Sequence, residues 1–110
     1  MLTVSMIADI ALHREELREL CRRFHVQRLD LFGSAARDDF DPGRSDMDFL
    51  VEFDRAHPEA MKFRTYFGLK EALEKLFGRS VDLVEESAVI NPYLKAEFER
   101  SRVPLFEAQS

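Results

Sequence analysis

The sequence has no tryptophan and a single cysteine, Cys21. An intrachain disulfide is therefore excluded, and a reducing compartment is the expectation. Basic residues are in the minority: 16 Lys and Arg stand against 21 Asp and Glu, for a formal net charge of −5. Without a basic block, the chain is not expected to grip long DNA or RNA unaided. A small, metal-chelated nucleotide is not excluded, because local charge around a site outweighs the total. No apolar stretch reaches the length of a membrane span, and the N-terminus lacks a basic segment followed by an apolar run. The expectation is a soluble, cytoplasmic protein. His13, His25 and His57 are the only histidines, and no two of them have metal-ligand spacing.

What is present is a core. Apolar residues make up 45% of the 110 residues, and ten are phenylalanine. That length and composition predict one compact domain over residues 1–110. Ser5 is a candidate N-cap for a first helix running to about Arg23, whose Leu17, Leu20, Cys21 and Phe24 recur at helical spacing. Its like-charged i,i+4 pairs, Arg14 with Arg18 and Glu15 with Glu19, make it dependent on docking. Cys21 on that apolar face has no evident base beside it and reads as core. Val26 to Phe32 predicts a first strand and Asp46 to Phe53 a second, with Asp39, Asp41, Pro42 and Gly43 as loop residues between them. A long helix is expected from about Glu59 to Phe77, with Phe63, Tyr66, Phe67, Leu73, Leu76 and Phe77 inward and Gly78 closing it. Gly68 within it implies close packing. Val81 to Val84 predicts a third strand, Asn91-Pro92 the start of a last helix to about Ser101, and Val103 to Phe106 an edge strand. The order α-β-α-β-α-β-α, with a possible terminal strand, predicts an α/β fold: a small sheet with helices stacked against it.

Three short stretches carry chemistry. Asp46 and Asp48 are two apart on a predicted strand and so leave the same face, their Cβ atoms roughly 6–7 Å apart. Carboxylates at that spacing can chelate two divalent ions about 3.5–4 Å apart. Their hard oxygen donors favour Mg²⁺ or Mn²⁺. An isolated Asp-x-Asp is more often the acidic turn before a strand than a metal site. Asp82 lies inside the apolar run Val81-Asp82-Leu83-Val84, where an unpaired charge is costly to bury. It either completes a triad with Asp46 and Asp48 or faces solvent on an exposed side of the sheet. In the triad it can accept the proton of an attacking hydroxyl. Gly33-Ser34 follows a predicted strand and opens a short helix, presenting backbone N–H groups to an anion, with Arg37 one turn on.

The run Leu31-Phe32-Gly33-Ser34-Ala35-Ala36-Arg37, then Ser45-Asp46-Met47-Asp48-Phe49-Leu50-Val51, then Val81-Asp82-Leu83-Val84, resembles the minimal nucleotidyltransferase domains of the polymerase-β-like superfamily. The resemblance covers nearly the whole chain. It implies a mixed sheet flanked by helices, with ATP as the donor. Gly33, Ser34 and Arg37 would bind the nucleotide, Asp46, Asp48 and Asp82 would be catalytic metal ligands, and Asp82 would also be the base. It further implies a partner: small members of this family typically form the antitoxin half of a toxin–antitoxin pair, adding AMP to a tyrosine of a HEPN ribonuclease toxin. Two departures stand out. Eleven residues separate Ser34 from Asp46, where ten is commoner, and Asp38 occupies the usual glycine position, close to the expected triphosphate. Asp38 is the feature that favours the main alternative, an antitoxin that neutralises its partner by binding alone. A small-molecule nucleotidyltransferase is the other, weakened because nothing in 110 residues is left to enclose an acceptor.

Overall fold

The computed structural model describes residues 10–32, 47–58 and 63–108. Helix α1 spans Arg14–Arg23, strand β1 Val26–Phe32, strand β2 Met47–Phe53, helix α2 Phe63–Phe77, strand β3 Val81–Glu85, helix α3 Pro92–Ser101 and strand β4 Val103–Glu107. A single turn of 3-10 helix, Glu86–Ala88, follows β3. The sheet order is β3-β2-β1-β4. β1 runs antiparallel to both β2 and β4, and β2 runs parallel to β3. This is the expected mixed sheet.

Strand alternation divides the sheet into two unlike faces. Leu29 and Leu31 of β1, Met47, Phe49, Val51 and Phe53 of β2, and Val81 and Leu83 of β3 form one buried cluster with Leu17 and Cys21 of α1 and Leu69 and Leu73 of α2. The opposite face carries Arg28, Asp30 and Phe32, then Asp48, Leu50 and Glu52, then Asp82 and Val84. α3 meets that second face through Phe98, which packs edge-to-face with Phe32, the ring centroids 4.7 Å apart.

The first helix departs from expectation at its start. Residues 10–12 are helical, but a turn at His13 interrupts the run, and His13 becomes the N-cap of α1 with its carbonyl accepting from Leu17 N. Ser5 lies outside the described residues. The like-charged i,i+4 pairs are offset by opposite-charged i,i+3 pairs, Arg18 with Glu15 and Arg22 with Glu19. α1 ends in a left-handed residue that is not glycine: His25 has φ +59°, its amide bonds Arg22 O, and its carbonyl accepts from Asp54 N. Its ring stacks on His57 with centroids 3.6 Å apart. Stacked face to face, the two rings do not point their nitrogens at a common centre.

α2 keeps its expected end, with Gly78 at φ +66° donating its amide to Glu74 O. Glu74 then ties the helix to the next strand, because its carboxylate accepts from Val81 N at 3.1 Å and from Lys70 Nζ at 3.3 Å. The Val81 amide is the main reason its carboxyl titrates below the ordinary range. Glu74 therefore supports the fold above that range and ceases to do so on acidification. The inward face of α2 matches the expected one at Tyr66, Leu73, Leu76 and Phe77 and departs from it at Phe63 and Phe67. Thr65, Leu69 and Leu73 are buried, whereas Phe63 and Phe67 are 81% and 53% exposed and stack on each other. The phase is set at Gly68, where a Cβ would stand 2.7 Å from Cε1 of Phe24. That notch seats the Phe24 ring.

α3 starts as the sequence predicts, the Asn91 side chain accepting from Tyr93 N and Leu94 N ahead of Pro92. β4 is an edge strand containing Pro104. None of the described helices is long and apolar enough to cross a membrane.

The notch at Gly68 gives a direct test. Replacing Gly68 with Ala adds helix propensity but drives a methyl into the Phe24 ring, so a net loss of about 1–3 kcal/mol is expected. Urea unfolding of Gly68→Ala, and of the same change with Phe24→Leu, measures it. The second variant should recover most of the loss.

Candidate functional site

The sheet register brings two of the candidate carboxylates together. In the parallel β2–β3 ladder, Asp48 pairs directly with Asp82. Neighbouring strands lie about 4.8 Å apart, and directly opposed residues share a face, so the two side chains leave the sheet side by side. On the other side of Asp48, the antiparallel ladder pairs it with Phe32, the last residue of β1. A row of three, Phe32–Asp48–Asp82, thus crosses the second face where β1 ends and β2 and β3 begin. Asp46, Gly33, Ser34 and Arg37 lie outside the described residues, as does Asp38.

Asp82 is not the buried charge that its apolar neighbours imply. Val81 and Leu83 are buried and Asp82 between them is exposed, because alternation on a border strand turns every second residue away from the core. An apolar run did not force this charge inside. It faces solvent, the second of the two placements foreseen for it, and it stands beside Asp48; the triad also needs Asp46, which lies outside the described residues. Asp48 itself is half-buried. The donors offered are carboxylate oxygens, the hard set that suits Mg²⁺ or Mn²⁺. Among the described residues, no group of three His, Cys, Asp or Glu is arranged around one ion.

Two neighbours of the row escaped sequence reasoning. Tyr66 of α2 reaches over the sheet border and donates its hydroxyl to the carbonyl of Leu83. Its phenol titrates above the ordinary tyrosine value, chiefly because it is partly buried and then because Asp82 is near. The second is a cluster of charge. Asp30, fully buried on β1, faces Arg102 just after α3, with Arg102 Nε 2.6 Å from Asp30 Oδ2. Arg28 meets the same oxygen at 3.2 Å. Arg102 also holds Glu86 with two bonds, at 2.7 and 3.1 Å, and Glu99 with one, at 2.6 Å. These carboxylates, Glu86 foremost, raise the guanidinium pKa against the opposing effect of burial. A buried aspartate alternating with leucines was the available signal, but its partner lies 72 residues away in the chain. Cys21 behaves as expected of core: burial pushes its thiol up to about 12.

Against this geometry, the comparison with known proteins is decisive. The nucleotidyltransferase domain profile matches residues 13–105. The chain belongs to the nucleotidyltransferase domain family. Among its relatives, a provisionally named protein adenylyltransferase of Methanocaldococcus jannaschii, MJ0128, is 38% identical over 103 residues, covering 94% of this chain and 98% of its own. The protein adenylyltransferase MntA of Thermococcus cleftensis is 41% identical over 90 residues, covering 81% and 83%. A solved structure of a provisionally assigned minimal nucleotidyltransferase superposes with a TM-score of 0.69 at 34% identity, over 86% of this chain and 91% of that one. Two more distant structures share the fold. One is a toxin–antitoxin complex with AMP-PNP, at a TM-score of 0.66 and 20% identity over 87% of this chain and 74% of that one. The other is a tri-AMPylated Shewanella oneidensis HEPN toxin with its MNT antitoxin, at 0.62 and 19% over 90% and 73%. The nucleotidyltransferase domain of this chain therefore carries Asp48 and Asp82 on the face that α1 and α2 leave uncovered.

The closeness of Asp82 to Tyr66 is open to titration. In an alkaline difference spectrum recorded with Tyr93→Phe, which leaves a single tyrosine, Tyr66 should give a late ionisation step. Asp82→Asn should bring the later step part of the way down, since burial is the larger cause. An unmoved later step would mean that the two side chains are not neighbours.

Proposed function

We propose that this chain is a Mg²⁺-dependent protein adenylyltransferase that moves AMP from ATP to a hydroxyl of a HEPN-type toxin, a tyrosine by preference, and so acts as its antitoxin in the cytoplasm. Residues 1–110 form one minimal domain in this reading. The observation that carries it is the direct pairing of Asp48 with Asp82 in the parallel ladder of a nucleotidyltransferase domain. Relatives named protein adenylyltransferases, at 38% and 41% identity, support the acceptor being a protein. The AMPylated HEPN toxin held by an antitoxin of the same fold supports the partner.

The roles follow from placement and residue chemistry. Gly33 and Ser34, directly after Phe32, would offer backbone amides and a hydroxyl to the triphosphate, and Arg37 a fork for a phosphate oxygen. Asp46, Asp48 and Asp82 would hold Mg²⁺, which when bound supplies charge neutralisation to the triphosphate. Asp82, the exposed member of the pair, would take the proton of the incoming hydroxyl. The hydroxyl oxygen bonds to the α-phosphorus, the bond from that phosphorus to the β-bridging oxygen breaks, and pyrophosphate leaves. The acceptor brings its own docking surface, since a domain this small has little left to enclose it.

Transfer of label from α-labelled ATP to a HEPN partner, with and without Mg²⁺, tests the reading. Asp46→Asn, Asp48→Asn or Asp82→Asn should each lower transfer on the order of 100-fold or more while the partner still binds. Asp38 motivates one rival, neutralisation by binding alone. Undiminished protection from the toxin by Asp48→Asn at native expression would favour that rival over catalysis.

A further inference from the structure

The charge cluster around Arg102 lies outside the carboxylate row, yet it is built into the same face. Arg102 is the residue that ends α3, its amide donating to Phe98 O at 2.8 Å. Its side chain, only 8% exposed, reaches three separate parts of the chain: Asp30 in the middle of β1, Glu86 just after β3, and Glu99 on α3. Asp30 is cross-strand neighbour to Leu50, one row along from Phe32–Asp48–Asp82. A single guanidinium thus spans β2 from β1 to the end of β3 and fixes the carboxyl end of α3 over the sheet. Phe98, four residues earlier and therefore on the same side of the helix, is held down on Phe32. Phe98 and Leu50 are the large apolar side chains buried on this face, both outside the main core cluster.

We propose that Arg102 is a positioning residue for nucleotide binding: by pinning α3, it keeps Phe98 on Phe32, the cross-strand neighbour of Asp48, and so holds the end of β1 in place beside the carboxylate pair. The inference rests on the adenylyltransferase reading above. Phe32 touches the site from both directions, as the cross-strand partner of Asp48 and as the residue before Gly33. An edge-to-face contact with ring centroids 4.7 Å apart restricts its rotamer, and groups that meet a nucleotide serve it best when they are already in place. Arginine is required because three carboxylates surround one side chain. Lysine presents a point charge and cannot form the paired bonds to Glu86 while also meeting Asp30. Without Arg102, Asp30 would be left buried with only Arg28, at the cost of an undercompensated charge.

Binding of Mg-ATP to the full chain by calorimetry, with steady-state transfer kinetics beside it, tests this. Arg102→Ala and Arg102→Lys should weaken Mg-ATP binding and raise the ATP KM roughly tenfold or more at a temperature well below their melting points, with a much smaller change in kcat. Phe98→Leu keeps an apolar side chain but removes the ring edge. It should shift KM in the same direction even if the Arg102 variants fold poorly. Arg100→Ala, which removes an exposed arginine paired with Glu97, should leave both constants unchanged. Variants that are less stable but bind Mg-ATP like the parent, per folded molecule, would overturn the inference and leave the enzyme reading intact. A parent that neither binds Mg-ATP nor transfers AMP would sink both.

Discussion

The in-phase parallel pairing of β2 with β3 is the constraint on which the site depends. Parallel strands need a long crossover, and α2 supplies it, starting beyond the end of β2 and finishing where β3 begins. The register follows from how that crossover is fastened. Val81 N is held by Glu74 on the helix, and Met47 N reaches back to Ser80 O. With Met47 and Val81 locked opposite each other, Asp48 falls directly opposite Asp82. A slip of one residue would turn Asp82 into the core and Leu83 out of it, which the apolar cluster forbids. Hydrophobic burial on one side of the sheet thereby sets the chemistry on the other.

The two faces divide the labour. The covered side, filled by leucines, valines and Phe49 against α1 and α2, supplies stability and is indifferent to ligands. The second side has one helix fixed at one end and a mixture of charge and aromatic rings. Such a surface costs stability where Asp30 is buried, and it is kept rigid by electrostatics as well as by apolar contact. Rigid polar support beneath a site that handles a highly charged nucleotide keeps neighbouring groups from rearranging around it.

Much of this was legible in the sequence because local rules acted alone. Val26–Phe32 and Val81 onward read as strands from their composition, Asn91-Pro92 as a cap, and Gly78 as a helix stop, and the structure agrees at each. The limits of α2's apolar face were not legible, because Gly68 hands the phase of the helix to Phe24, a residue 44 positions earlier. Nor was the ion cluster, for Asp30 and Arg102 meet only after the fourth strand has joined the sheet. Asp82 was read as a charge in need of burial, whereas its position on a border strand removes that need. The pairing of Asp48 with Asp82 was foreseen from a family resemblance and from the supposition that the two strands adjoin. The alternation of Val81 and Leu83 fixes the face that Asp82 takes, but nothing in either short run names its partner across the ladder.

The hydroxyl of Tyr66 on the Leu83 carbonyl has a bearing beyond the site. β3 borders the sheet, and an uncovered border is a template on which a stray chain can grow. A phenol seated there satisfies one main-chain acceptor in advance, and at the opposite border Pro104 removes a donor. Any extension of the sheet by another molecule would first have to evict the one or tolerate the other, so both margins are built to stay solitary.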